Sequence, residues 1–493
     1  MPVSSEHPAL VEQRAIEYIP TSERHGRPNT LLTIWFASNA QITTVATGLL
    51  ATAVFGLSLE WAIISILIGN LVGCLFMAYH SVQGPRLGIA QMIQSRAQFG
   101  MYGAVLPIAV VVVMYVGFFV SSAVLGGEAV AQLIHVSTDW GIVICDAVTL
   151  LMAWVGYALI HRYDRWASVL FAVVFLIITV KMLTVHSPAY HATGDTAATI
   201  LLVISIVVSW QITWAPYVSD YSRYLPQDTP AARTFWYTYA GAAVGGAWFM
   251  SIGALGGVLA SASISSNTAG YFAGLFPSVR WLILITAILG IFAANVENLY
   301  GPFLSAAAAI FPSGKVGSAP VARLVSAGAI AVLGTLLAIG ASAHFLTDLS
   351  NFVLFLLYFL IPWTAINLTD YYLVRRGHYQ IEEIFKPDGI YGAVNWWAVG
   401  IYVLTIGVEV PFVNSSLYEG PIAKSMGGAD ISWIVGAILA GVLYYLVATR
   451  ILRIGRPAPE QKSEPAGSLA VVVESDFGNL RESLSGRICL SRK

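Results

Sequence analysis

Two short polar and aromatic stretches interrupt long apolar runs in this chain. The first reads Asn39-Ala40-Gln41-Ile42-Thr43-Thr44, with Gly48 beyond it; the second reads Ser209-Trp210-Gln211-Ile212-Thr213-Trp214, followed by Pro216. Gln-Ile-Thr recurs in both. An amide offers a donor and an acceptor side by side, and an indole offers a flat face with one N–H. Amides cost too much in hydrocarbon to be kept for packing alone, so the pattern points to a bound polar solute. A third stretch, Phe292-Ala293-Ala294-Asn295-Val296-Glu297-Asn298, carries two amides and an acid. An acid inside a membrane is costly and by default marks an ion or proton pathway.

The elements that position these residues are read from composition. Of 493 residues, 57% are hydrophobic and only 10% charged, with a mean hydropathy of +0.73, against roughly 25% charged in a soluble domain. At about 20 residues per spanning helix, the uncharged apolar segments between Thr30 and Leu452 number about twelve. The expected fold class is therefore an all-α integral membrane protein whose surface is solvated by the lipid bilayer. Lys and Arg fall in alternate connections: Arg14, Arg24 and Arg27; Arg86 and Arg96; Arg162 and Arg165; Arg223 and Arg233; Lys315 and Arg323; Arg375, Arg376 and Lys386; Arg450, Arg453 and Arg456. The opposite connections carry almost none, so the positive-inside rule puts both termini in the cytoplasm and requires an even number of spans. A multi-pass protein of the plasma membrane is expected. Residues 1–29 lack the short apolar stretch of a signal peptide and, like residues 454–493, read as disordered cytoplasmic tails.

Several function classes drop out. A net charge of −1 without any basic block argues against nucleic acid. Cys74, Cys145 and Cys489 are too far apart for a disulfide framework or a metal motif, and His80, His161 and His344 show no metalloprotease spacing. No cluster of His, Asp or Cys at one interface suggests an enzyme, and no cofactor or obligate protein partner is indicated. Other acids are given structural readings. Asp146 is expected to bond a neighbouring helix, Glu128 and Glu409 to lie near water at outer helix ends, and Asp220 and Asp370 to pair with Arg223 and Arg375.

The interrupted first and sixth spans are each followed by a close-packing motif, Gly69-Asn-Leu-Val-Gly73 in the second span and Gly241-Ala-Ala-Val-Gly245 in the seventh. A weak repeat of five spans with a broken first helix is the mark of a secondary transporter with a midplane site. An odd-numbered repeat is also necessarily inverted. This divides the chain into a first repeat at 30–186, a second at 197–377 and two accessory spans at 391–453.

Further motifs carry a family likeness. Gly56-Leu-Ser58 through Ile68-Gly69-Asn70, Gly84-Pro-Arg-Leu-Gly88, Ser95-Arg-Ala-Gln-Phe-Gly100, Asp220-Tyr-Ser-Arg-Tyr224 and Asn367-Leu-Thr-Asp370-Tyr-Tyr-Leu-Val-Arg375-Arg376-Gly377 resemble nucleobase:cation symporter family 1, in particular its purine and cytosine permease branch. The resemblance covers roughly residues 31–452. It implies a LeuT-like core of two inverted five-helix repeats plus two accessory helices, importing a small heterocycle with a cation. Carried over by motif position, it implies that Phe118 stacks on the ring where relatives often have Trp, with Ser121 and Ser122 a turn away. It further implies contacts from Trp210, Gln211 and Thr213, and an amide-rich eighth span supplying Asn295 and Asn298; Asn39 and Gln41 complete the expected substrate set. Such a ring needs an aromatic face and amides for its edge, which these residues provide.

Coupling is where the chain departs from part of the family. Sodium-coupled members use first-span carbonyls and two adjacent eighth-span hydroxyls; here the carbonyls of Ala40 and Thr43 remain, but Ala293 and Ala294 replace the hydroxyls. The expectation is proton coupling through Glu297, with sodium the alternative. The other readings are an uncoupled facilitator and a symporter for allantoin, hydantoin or a pyridoxine-like ring.

Overall fold

The computed structural model describes residues 17–155, 157–185, 190–310 and 320–454. Residues 1–16 and 455–493, with most of both expected tails, Lys315, Arg456 and Cys489, lie outside it, as do the side chains of His161, Arg162, Arg165 and Arg323.

The described chain is helical from end to end. The first span is α1 (Thr30–Asn39) and α2 (Ile42–Leu49), extended by a π turn at Leu50–Val54; the second is α3 (Leu59–Ser81). A short buried hairpin, α4 (Gln83–Leu87) and α5 (Gln91–Phe99), leads to α6 (Val105–Ile134), α7 (Thr138–Val155) and α8 (Tyr157–Met182). The second half repeats the order with α9 (Ala197–Ile212), α10 (Val218–Ser222), α11 (Ala231–Ser266), α12 (Thr268–Gly274), α13 (Arg280–Ile310), α14 (Pro320–Ala341) and α15 (Phe345–Thr369). Then follow α16 (Trp396–Glu409), α17 (Pro421–Ser425) and α18 (Ser432–Leu446). Among the described residues, seven helical stretches are long and apolar enough to cross a membrane. One of them, Leu324–Val374, is α14 and α15 meeting at the turn Ser342–His344, and Ile42–Val54, Leu170–Met182 and Trp396–Phe412 are shorter apolar helices. Laid along the chain, these elements agree with a twelve-span reading.

Both expected helix breaks are present, each with its own cause. In the first span Gln41 is extended at φ −145°, ψ 156°, and its Nε2 donates to Ser38 O at 2.8 Å. In the sixth, Pro216 has no N–H to give, and the chain passes through a 3-10 turn at Ala215–Tyr217 before resuming as α10. The two Gln-Ile-Thr triplets are therefore not equivalent. Gln41 stands at the break, whereas Gln211 belongs to the last turn of α9.

The glycine motifs hold the repeats together reciprocally. Gly69 and Gly73 of α3 lie against Val207, Val208 and Gln211 of α9; Gly241 and Gly245 of α11 lie against Leu32 and Phe36 of α1. In each case the second helix of one repeat rests on the broken helix of the other, with no Cβ between them, which is what small-xxx-small spacing permits in lipid. Around this block stand α6, packed on α13, α7 and α14, while α16 and α18 lean on α15.

Polar contacts fasten the end at which α1 begins. Gln83 Nε2 donates to Asn367 Oδ1 at 2.8 Å, Gln91 N to Asp220 Oδ1 at 2.7 Å and Gln98 Nε2 to Asp370 Oδ2 at 2.8 Å. His80 stacks on Trp363 with ring centroids 4.8 Å apart. Asp370 pairs with Arg375 at 3.1 Å; Arg223 Nε donates to the backbone oxygen of Asp220 at 3.3 Å. Residues 17–29, read as tail, are seated on this end: Ile19 N donates to Gly88 O at 2.8 Å and Arg24 Nη1 to Pro85 O at 2.7 Å.

Asp146 accepts from Thr335 Oγ1 at 2.7 Å, a bond between α7 and α14 of the expected kind. Glu128 and Glu409 differ from expectation: they are 6% and 1% exposed rather than wet. The reason is packing from distant sequence. Helix α12 folds over the end of α6, and Thr268 N donates to Glu128 Oε2 at 3.0 Å; Gly436 of α18 makes room for the carboxyl of Glu409. Cys74 and Cys145 are buried thiols.

Replacing Gly241 by Val should drive α11 off α1 and cost about 1–3 kcal/mol by overpacking, read as a lower thermal unfolding midpoint in detergent. Gly407→Ala in α16, where a Cβ meets nothing within 4 Å, should leave the midpoint unchanged or slightly raised.

Candidate functional site

The two helix breaks face one cavity of about 670 Å³. Its walls come from α1 and α2, from α6, from α9 and the turn after it, and from α13. Thr30 and Thr33 on the first turn of α1 line it and are exposed, so it opens at the end of the bundle where α1 begins. Gln41, Thr43, Phe118, Ser122 and Trp210 line its interior.

Phe118 and Trp210 form a corner, with centroids 5.5 Å apart and planes at 85°. A flat ring lying on one presents its edge to the other, the two favoured aromatic geometries. Trp210 is fixed by its N–H, which donates to Asn39 Oδ1 at 3.0 Å, and Phe118 is backed by Phe352 at 5.2 Å. Of the other residues expected at the site, Ala40, Gln41, Thr43, Ser122, Thr213, Glu297 and Asn298 line the cavity. Thr213 Oγ1 donates to Trp210 O at 2.7 Å, which turns its oxygen lone pairs to remaining donors.

Asn39, Gln211, Ser121 and Asn295 do not line it. Asn39 and Gln211 are wholly buried behind the wall, where Gln211 Nε2 donates to Asn70 Oδ1 at 2.7 Å and approaches Asn39 Oδ1 at 3.4 Å. Ser121 Oγ donates to Gly117 O at 2.9 Å. Asn295 donates to Phe119 O at 3.2 Å and accepts from Asn298 Nδ2 at 3.2 Å, so it orients an amide that does reach the cavity.

Glu297 is exposed on the cavity wall rather than buried, because the cavity is open on its side. Tyr221 donates to its Oε1 at 3.4 Å. Ala293 and Ala294 line the same cavity as Ala40 and Thr43 and bring no side-chain oxygen to it.

Sequence reasoning missed an aromatic run that paves the way to the mouth. Trp214, Tyr217, Tyr221 and Tyr115 all line the cavity; Trp214 meets Tyr217 at 5.8 Å, and Tyr217 meets Tyr115 at 5.5 Å. The signal was present in the spacing. Trp210, Trp214, Tyr217 and Tyr221 follow one another by four, three and four residues, one face of a helix, and Tyr115 stands three before Phe118.

The family model whose description is "Permease for cytosine/purines, uracil, thiamine, allantoin" matches residues 18–436. The chain belongs to this permease family. It is 43% identical over 441 residues to the putative purine-cytosine permease YxlA of Bacillus subtilis, covering 89% of this chain and 96% of that one. It is 27% identical over 471 residues to the purine-cytosine permease FCY2 of Saccharomyces cerevisiae, covering 88% and 85%. The inward-facing structure of Mhp1 superposes with a TM-score of 0.71 at 20% identity, covering 91% of this chain and 96% of that one, which shows a shared fold. The permease is thus a multi-pass membrane transporter with a LeuT-like five-plus-five core, and not an enzyme.

Two outcomes check this geometry. In a permease carrying Cys489→Ser, where Cys74 and Cys145 are buried, Thr33→Cys should react with a membrane-impermeant maleimide only from the side that carries the N-terminus. Thr44→Cys, at a fully buried position, should stay unlabelled; labelling there would place the cavity elsewhere. Asn39→Ala leaves the buried Trp210 N–H without its acceptor, while the Gln211 amide keeps Asn70, and should cost about 1–3 kcal/mol, read as a lower unfolding midpoint.

Proposed function

We propose that this permease imports a nucleobase, cytosine or a purine, across the plasma membrane in symport with a proton. The observation that carries the reading is the perpendicular Phe118 and Trp210 pair with Gln41, Thr213 and Asn298 lining the same cavity. A base stacks on one ring while its edge donors and acceptors meet an amide on either side, and a site of this kind rejects a ligand whose edge leaves those groups unpaired. The purine-cytosine permeases among its relatives support the same substrate class.

The distribution of Lys and Arg supports cytoplasmic termini, and on that orientation the cavity opens to the cytoplasm, the state in which substrate leaves. The alternating-access cycle then closes this mouth and opens the opposite one around the two breaks. Glu297 supports the proton as coupling ion. Its carboxyl reaches the open cavity beside Tyr221 and can exchange a proton with the medium there, whereas Ala293 and Ala294 leave a sodium ion without two oxygen ligands.

Proteoliposomes given labelled cytosine or hypoxanthine, driven separately by an inward proton or sodium gradient, test the proposal. Accumulation with protons alone is expected, and Glu297→Gln should abolish the accumulation while leaving counterflow exchange intact. Accumulation driven by sodium would overturn the proton role, and equilibration without accumulation would make the protein a facilitator. Failure with both bases, in vesicles containing folded protein, would overturn the substrate in favour of an allantoin, hydantoin or pyridoxine-like ring. Phe118→Ala should weaken base binding by about tenfold or more, given about 1–3 kcal/mol for stacking a base on an aromatic side chain.

A further inference from the structure

A second cavity, of about 450 Å³, lies at the same end of the bundle as the mouth of the first. It is walled by Arg86 of α4, by Arg375, His378 and Tyr391 in the connection after α15, and by Tyr18 of the N-terminal segment. We propose that this cavity binds a phosphoryl anion, clamped between the guanidinium groups of Arg86 and Arg375.

The charge on its lining is one-sided. None of the residues lining it is an Asp or Glu. Arg375 is held in place rather than used up: Nε donates to Asp370 Oδ2 at 3.1 Å, Nη2 to Ala97 O at 3.5 Å, and the group lies over the rings of Tyr391 and Tyr379 at 4.8 and 5.6 Å. Its Nη1 is left with no hydrogen-bond partner among the described residues. Asp370 is satisfied besides by Gln98, Tyr379 and Tyr444, at 2.8, 2.6 and 2.9 Å, and is fully buried behind Arg375.

Arg86 is exposed and has no carboxylate partner among the described residues. Its Nη1 sits over Gly377, whose φ of +78° and missing side chain leave that space to the guanidinium; a Cβ there would come to 3.3 Å from it. A third guanidinium, Arg24, lies behind Tyr18 at 5.1 Å from its ring and is buried with Nη2 unpartnered. Two guanidinium groups thus line the cavity, with a third behind its Tyr18 wall, and the carboxylate paired with Arg375 is already committed. Guanidinium forks match the oxygens of a phosphate bidentately, and a phosphoryl group has enough oxygens to engage two forks at once. The phosphoryl group can belong to an anionic lipid headgroup, since arginines at helix ends meet that layer, or to a soluble phosphate ester.

The test separates the two sources. Full-length protein in nanodiscs of phosphatidylcholine alone is titrated with inorganic phosphate and with adenosine monophosphate at constant ionic strength, binding being read as a rise in unfolding midpoint. In a second arm, phosphatidylglycerol is added and retained lipid is counted by native mass spectrometry. Binding in either arm that falls about tenfold or more in Arg86→Gln, as expected for losing a charge-assisted pair, and is partly kept in Arg86→Lys, supports the site; the arm names the source. No binding in both arms, or binding that Arg86→Gln leaves unchanged, overturns it. Arg86 is exposed, so the variant should elute and unfold as the parent does without ligand, which separates loss of the site from loss of fold.

Discussion

Four buried side chains, Asn39, Asn70, Trp210 and Gln211, tie the two broken spans to each other and to α3. The rest of the structure depends on this knot. A helix that breaks in hydrocarbon exposes backbone groups that lipid cannot satisfy, so it survives only where protein or cavity water supplies partners. Here the amide of one span accepts from the indole and amide of the other. That fixes which face of Trp210 looks into the cavity and how far apart the two breaks stand. The glycines of α3 and α11 bring the backbones close enough for those short side chains to meet.

The same economy governs the end where α1 begins. The hairpin α4 and α5 is almost entirely buried yet rich in glutamine, which would be ruinous without partners. Gln83 and Gln98 find theirs on Asn367 and Asp370 at the end of α15, and Gln91 finds His80 Nδ1 at 3.0 Å while its backbone N–H donates to Asp220. Amides share the fastening of this end with the Asp370–Arg375 pair, where a row of ion pairs would carry a larger desolvation cost.

Much of this was legible in the residues. The breaks were written in Asn39 to Thr44 and in Pro216, the interleaving of repeats in two glycine pairs, and the aromatic corner in Phe118 and Trp210. What escaped depended on relations that local sequence does not carry. Gln41 and Gln211 sit in identical triplets, but Pro216 sets its break downstream of Gln211, which leaves that side chain inside a helix and behind the wall. Glu128 and Glu409 are covered by α12 and by α18, elements remote in the chain. Glu297 is exposed because of the state in which the cavity stands, and no residue type encodes a state. The tyrosines near the mouth were hidden for another reason: their helical spacing runs across a break, where periodicity ceases to be trusted.

Glu128 also has a mechanical meaning. It joins α12 to the far end of α6, the same helix that carries Tyr115, Phe118 and Ser122 on the cavity wall. Thirty residues of helix make a rod about 45 Å long. Such a rod acts as a lever: a tilt of about 10° around its middle displaces each end by roughly 4 Å in opposite directions. Tyr115 and Glu128 stand on opposite sides of that middle, so any tilt that carries the cavity wall at Tyr115 one way carries the contact with α12 the other.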